Sequence, residues 1–326
     1  MDLKRRTLLT ATAAAVVACS LPAAGIAQSF PSEPVRLLVG FPPGGSTDAI
    51  GRIVAEGMSA ELGQNVRVEN VPGAGSNIAA GQVARATADG HTLLLATAGT
   101  HAINASIYPD IPFDHIEDFA PVSLVTTSAN VLLVRPDFPA TTMEEFVEMA
   151  RAGDQRITMA NPGNGTTPHM TAAMLDRELG GNMTFVNYTG AAPAMVDLMA
   201  GRVDALFNAT QTSVEQVETG TVMALGISSA ERNPLLPDVP AIGEVVDGFE
   251  AVAWWGVVAP AGTPPEAVET LNAAINAALA NEDMQRRMAD LGTTPTGGTA
   301  EEFAQHIVDE TAKWSAIIEA AGISLD

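Results

Sequence analysis

The side chains able to do chemistry are few and scattered. Five histidines occur, His91, His101, His115, His169 and His306. None forms a pair at close helical spacing, so they frame no metal site. Cys19 is the single cysteine, and it lies too early in the chain to serve a folded body as a thiol nucleophile. There is no G-x-S-x-G elbow, no Walker A loop and no H-E-x-x-H. Asp48, Asp197 and Asp204 could serve as acids or bases, but each has a local explanation. Asp48 falls in the first turn of a helix, where an acid complements the dipole. Asp197 lies one turn into its helix, and Asp204 follows the helix stop at Gly201. General acid–base work by Asp48 or His169 lacks a nucleophile or metal partner. No catalytic residue and no cofactor is expected.

Loops carry a different chemistry. "FPPGGSTD" (41–48), "ATAGTH" (96–101), "NPGNGTTPH" (161–169) and "NYTGAAP" (187–193) are dense in glycine, small residues and hydroxyls. "GAGSNI" (73–78) and "GNGTTP" (163–168) begin like a dinucleotide fingerprint but lack its third glycine. The stretches 44–47, 165–167 and 190–192 each open a helix. A helix N-terminus has unpaired N–H groups and partial positive charge. Glycine permits close approach, and Ser or Thr adds donors without charge. The combination can hold a carboxylate or phosphate without arginine. Capping accounts for any one such loop; four of them at four strand ends point to a cleft.

The elements around the loops alternate. Strand patterns fall at 35–40, 65–70, 91–99, 131–136, 156–160, 183–188, 203–208, 223–228 and 253–260. Helical patterns fall at 50–62, 78–88, 142–151, 168–179, 191–200, 264–280 and 299–321. Such alternation predicts an α/β architecture with mainly parallel sheets. Ligands of such sheets sit at the carboxyl ends of strands, where these loops lie.

Composition excludes several functions. The chain has 326 residues, 38 acids and 16 bases, for a formal charge of −22. Lys4 and Lys313 are its only lysines. Nucleic acid and anionic membranes need basic patches that are missing here. The N-terminus reads as an export signal over residues 1–27: a basic "MDLKRR" start, an apolar Leu8–Leu21 run and small residues at Gly25 and Ala27. Arg5-Arg6 resembles a twin-arginine signal, with Sec export as the alternative. "VVAC" also resembles a lipobox, which would retain a lipidated Cys19.

The serial blocks "FPPGGSTD", "ENVPGAGSNIAA", "ADGHTLLLATAGTHAIN", "FAPVSLV", "GAAPAMVDLMAGRVDALF", "LPDVPAIGE" and "WWGVVAPAGTP" closely resemble the periplasmic receptors of tripartite tricarboxylate transporters, the Bug or TctC-type proteins. The resemblance runs from about Pro31 to the C-terminal helix. It implies a type II periplasmic binding-protein fold: two α/β domains, a two-segment hinge and a ligand cleft between them. The expected division is 28–130 with 245–326 for domain I and 131–244 for domain II. The family's way of holding a carboxylate through backbone amides points to Phe41, Gly44, Gly45, Ser46 and Thr47. Later blocks add Thr97, Thr100 and His101, then Gly165, Thr166, Thr167, His169, Tyr188, Gly190 and Ala191. Asn208 and Trp254 or Trp255 are further candidates. Thr189 stands where many relatives carry a basic residue, Asn208 where many carry an acid, and Ala241 where threonine is frequent.

The reading is a periplasmic, monomeric solute receptor without metal or cofactor. It would close on a small carboxylate and deliver it to the membrane permease of a tripartite transporter. Scarcity of cations near the cleft favours a monocarboxylate or an amino-acid-like ligand over a tricarboxylate. The rivals are an exported enzyme and a receptor that reports occupancy to a sensor kinase.

Overall fold

The computed structural model describes residues 30–108, 110–163 and 166–322. Residues 1–27, read from the sequence as an export signal with Cys19 among them, and Gly165 lie outside the described residues. Strand β1 (Val35–Val39) leads through the Phe41–Gly45 turn into helix α1 (Ser46–Leu62). Strands β2 (Val66–Asn70) and β3 (Thr92–Thr97) flank β1 in parallel. Helix α2 (Asn77–Ala84) lies between them in sequence. A π-helical turn (Gly99–Ile103) and the short α3 (Asn104–Ile107) follow β3.

Strand β4 (Phe119–Val134) belongs to two sheets. Its Phe119–Ala129 portion pairs antiparallel with β9 (Val252–Pro260), which also pairs with β3. The first sheet therefore runs β2-β1-β3-β9-β4, and the short β10 (Thr294–Pro295) adds to β4. From Asn130 onward, β4 pairs with β7 (Ala205–Ala209) and β8 (Met223–Ile227). Strands β5 (Thr158–Asn161) and β6 (Thr184–Asn187) complete the second sheet, with β5 between β7 and β6. The remaining helices are α4 (Met143–Ala152), α5 (Thr167–Leu179), α6 (Ala191–Met199), α7 (Val214–Glu218), α8 (Pro265–Leu279), α9 (Glu282–Asp290) and α10 (Ala300–Ala321).

The central parallel strands β1 and β3 are largely buried, so they read as near-continuous apolar runs. Val35, Leu37 and Val39 pack with Ile50, Val54 and Met58 of α1 and with Ile275 of α8. Leu38, pointing the other way, joins Ala79 and Val83 of α2 and Trp314 of α10. The same alternation splits β4: Leu132 and Val134 face one core, Val131 and Leu133 another. Helix ends follow local chemistry. The Thr142 hydroxyl accepts the Glu145 N–H at α4, and Thr299 with Glu302 forms a capping box at α10.

Two crossings join the sheets. At the first, Ala129 O accepts from the backbone N–H and the hydroxyl of Thr210. The second runs from Ser228 to Ala251. The Ser228 hydroxyl is fully buried; it accepts the Asn130 N–H at 2.8 Å and donates to Ala251 O at 2.6 Å. The two-domain α/β fold with a two-segment hinge is the one expected. Two expectations need correction. The sheets are mixed instead of mainly parallel, because β4 runs antiparallel to β7, β8, β9 and β10 and β9 antiparallel to β3. The strand read at 131–136 begins at Phe119. Pro121 and the hydroxyls of Ser123, Thr126, Thr127 and Ser128 concealed it in the sequence. Neighbours satisfy two of those hydroxyls, Thr126 with Thr294 O and Ser128 with Gly292 O.

Candidate functional site

The first wall of the cleft is the β1–α1 turn. Gly44 has φ +87, a left-handed conformation that glycine adopts without steric cost. Its N–H donates to Asp48 Oδ2 at 2.9 Å, and Arg52 Nε reaches the same oxygen at 3.0 Å. Asn70 donates to Asp48 Oδ1 and to Phe41 O. Arg52 above all holds the Asp48 carboxyl down at about 2, with the Gly44 N–H and Asn70 assisting. Asp48 is thus the buried knot that ties the turn to β2, and Arg52 spends its charge on that knot. The first helical bond joins Ala49 N–H to Gly45 O, so the N–H groups of Ser46, Thr47 and Asp48 have no partner within the helix. The Trp255 indole of β9 donates to Thr47 Oγ1 at 3.1 Å.

The end of β3 gives the second wall. Thr97 N–H donates to Thr100 Oγ1 at 2.9 Å, and Thr100 N–H donates to Thr97 Oγ1 at 3.3 Å. His101 Nδ1 lies 3.1 Å from Thr100 Oγ1, while its Nε2 is buried without a hydrogen-bond partner. Burial, with a smaller contribution from His115, lowers the His101 imidazole to about 3, so it is neutral at physiological pH. Gly75 joins this wall from a strained turn flanked by Ala74 (φ 47) and Ser76 (φ 78). A Cβ on Gly75 would meet the Tyr108 hydroxyl at 2.9 Å and Asn104 Nδ2 at 3.1 Å.

The third wall comes from the second sheet. Thr166 caps α5: its hydroxyl donates to Gly163 O at 2.7 Å and accepts the His169 N–H at 3.4 Å. Thr167 follows with Pro168 next in the first turn, a residue suited to a helix start. Between the three walls lies a cavity of about 340 Å³. Phe41, Thr47, Thr97, Thr166 and Thr167 line it, as does Trp255.

Other candidates occupy different places. Gly44, Gly45 and Ser46 form the exposed turn beside the cavity. Thr100 and His101 are fully buried behind Thr97, and His101 sets its ring edge-on to Phe119 at 4.6 Å. They brace the wall and do not line it. His169 is buried, with its ring edge-on to Phe185 at 6.0 Å. Tyr188 donates its hydroxyl to Asp197 of α6 at 2.8 Å, and Gly190 and Ala191 open that helix. Asn208 donates from Nδ2 to Thr212 and Ser213, organising the turn after β7. His169, Tyr188, Gly190, Ala191 and Asn208 do not line the cavity. The lining residues not foreseen include Gly75, Ile103, Asn104, Ile107 and Tyr108. Their signal was present: apolar Ile103 and Ile107, and polar Asn104 and Tyr108, recur at four-residue spacing after the β3 loop.

Two α/β sheets linked by two crossings, with a cleft lined by helix N-termini, define a solute-binding protein. The chain belongs to the tripartite tricarboxylate transporter receptor family, whose TctC model matches residues 50–323. A UPF0065 protein in the tcbD-tcbE intergenic region of a Pseudomonas species is 37% identical over 97% of this chain and 94% of its own length. MatC of Rhodopseudomonas palustris, solved with bound malate, is 34% identical with a TM-score of 0.68, covering 89% of this chain and 100% of that one. A TctC solute-binding protein from Polaromonas is 27% identical with a TM-score of 0.82, covering 90% of this chain and 100% of that one.

Proposed function

We propose that this protein is an exported periplasmic receptor that closes on a small carboxylated solute and delivers it to a tripartite tricarboxylate-type permease. One observation carries the reading. The cavity lies where the N-terminus of α1 in one sheet faces that of α5 in the other, with Thr47 and Thr167 both on its wall. Backbone N–H groups and hydroxyls at such termini bind an anion without a cationic side chain. The chain's overall acidity does not prevent this, because distant surface charges are screened and local dipoles are not. Malate in MatC supports a carboxylate ligand.

A ligand touching both walls selects the closed state, because only there are all its contacts made. The paired crossings at Ala129–Asn130 and Ser228–Ala251 are the hinge of that motion. The division of strands between two sheets supports domain I as 28–130 with 245–326 and domain II as 131–244. In this reading the first 27 residues direct export, the receptor is monomeric, and it performs no catalysis. Gly190 and Ala191 at the start of α6 would join the site on closure.

Calorimetry with Gly45→Val and Thr167→Val tests the cradle. A Cβ at Gly45 has no neighbour closer than Pro42 O at 3.9 Å, so the first substitution leaves the fold intact. Each variant is expected to lose roughly tenfold in carboxylate affinity, on the order of one charge-assisted hydrogen bond. Unchanged affinity in both would sink the cradle.

A further inference from the structure

The cavity lining sets a few polar donors in a largely apolar surface. Thr47 Oγ1 accepts the Trp255 indole N–H and Thr97 Oγ1 accepts the Thr100 N–H. With that lone pair occupied, the Thr47 hydroxyl keeps its proton to donate; Thr97 Oγ1 also lies 3.4 Å from Thr100 Oγ1. Together with the N–H groups opening α1 and α5, these donors suffice for one carboxylate. The rest of the lining is largely apolar: Phe41, Ile103, Ile107, the ring of Tyr108 and the indoles of Trp254 and Trp255. Among the described residues, no Lys, Arg, His, Asp or Glu lines the cavity.

A second carboxylate would find few free donors among the lining side chains. Asn104 spends its amide N–H groups on Gly75 O at 3.0 Å and Asn77 Oδ1 at 2.7 Å. Arg52, beside the turn, is bound to Asp48 and Asn70. Tyr108 adds only a neutral hydroxyl. An ionised group buried without a partner is strongly disfavoured. A ligand ammonium fares no better, because Asp48 is saturated by Gly44, Arg52 and Asn70. An apolar body has no such difficulty, and about 340 Å³ accommodates a ring.

Resting on the reading of the cleft as a carboxylate receptor, we propose that the selected solute is a monocarboxylate with an apolar, ring-sized body. Dicarboxylates, tricarboxylates and amino acids are disfavoured. Titration calorimetry on the purified protein tests this with benzoate, phenylacetate and cyclohexanecarboxylate against malate, adipate, citrate and glutamate, with benzamide as the neutral isostere of benzoate. At least one apolar acid is expected to bind tenfold or more tighter than malate, adipate, citrate and glutamate, and benzoate tighter than benzamide. If a di- or tricarboxylate or glutamate matches or exceeds every apolar acid, the proposal is overturned while the carboxylate receptor stands. If benzamide binds as tightly as benzoate, the carboxylate reading itself fails. Absence of binding by all the acids overturns both.

Discussion

Trp255 and Thr47 lie 208 residues apart, yet the Trp255 indole N–H reaches Thr47 Oγ1 at 3.1 Å. The bond fixes the rotamer of a hydroxyl in the first turn of α1 and leaves its proton for the cavity. Trp255→Phe keeps the ring and removes the donor. We expect solute affinity to fall about 3- to 10-fold, in line with roughly 0.5–1.5 kcal/mol for one hydrogen bond. Calorimetry with an unchanged melting curve checks it; unaltered affinity would show that Thr47 needs no such orientation.

Thr100 braces Thr97 from behind the cavity wall, exchanging hydrogen bonds with it and meeting His101. Thr100→Val leaves the Thr97 N–H without its acceptor. The expected cost is about 1–3 kcal/mol of stability, with weakened binding. Thr100→Ser restores the hydroxyl and is expected to recover both. Chemical denaturation and calorimetry on the pair separate this role from simple packing.

Ser228 ties the two crossings together through Asn130 N–H and Ala251 O. Nearby, Asn130 Nδ2 donates to Thr171 Oγ1 at 3.1 Å, and Thr171 Oγ1 donates to Thr167 O at 2.8 Å. The hinge is therefore bonded to the helix that carries the third wall. Ser228→Ala deprives two buried backbone groups of a partner and is expected to lower unfolding free energy by about 1–3 kcal/mol. Denaturant titration reads the loss; a variant as stable as the parent would remove Ser228 from this account.

Acid sensitivity has a defined window. An unfolded imidazole takes its proton near the usual 6.5, whereas folded His101 does so only at about 3. Between those values the unfolded chain binds more protons, so stability is complete above 6.5 and falls as pH drops. Burial pushes His115, His169 and His306 the same way. Asp48 acts lower, between 3.8 and about 2. Each such histidine adds a slope of up to about 1.4 kcal/mol per pH unit. His101→Asn is expected to flatten, not abolish, the decline between pH 6.5 and 4.5 in melting curves.

Glu310 of α10 is buried and accepts two indole N–H bonds, from Trp254 at 3.0 Å and Trp314 at 2.8 Å, while pairing with Lys313. Glu310→Ala orphans both indoles. A loss of about 2–5 kcal/mol is expected, with altered tryptophan fluorescence in the native state. Unchanged stability would mean that the C-terminal helix is held by apolar packing alone.

Much of the fold was legible because period and punctuation were strong. The apolar run at Val35–Val39, the Pro42-Pro43-Gly44-Gly45 turn and the periodic helix behind it stand in the order the sequence implied. The first half of β4 was not legible. Its buried hydroxyls look like loop chemistry until β10 and the preceding turn supply their acceptors. Of the residues that line the cavity, Phe41, Thr47, Thr97, Thr166 and Thr167 lie in the donor-rich loops and were named through the family resemblance. Thr100, His101 and Asn208 share that composition, but their polar atoms are turned inward to neighbouring hydroxyls.

The sequence by itself determined the alternating α/β order, the donor-rich loops at strand ends and the scarcity of cations. Those are local properties, written in residue type and spacing. Tertiary structure alone decided which loops share one cavity, and that Ile103, Ile107 and Tyr108 join its lining. It also decided that Asp48 and Arg52 neutralise each other instead of facing a solute. The physical reason is that a side chain's chemistry depends on which partner reaches it first. In this fold those partners arrive from strands as distant as β9 and through a β4 that crosses from one sheet to the other.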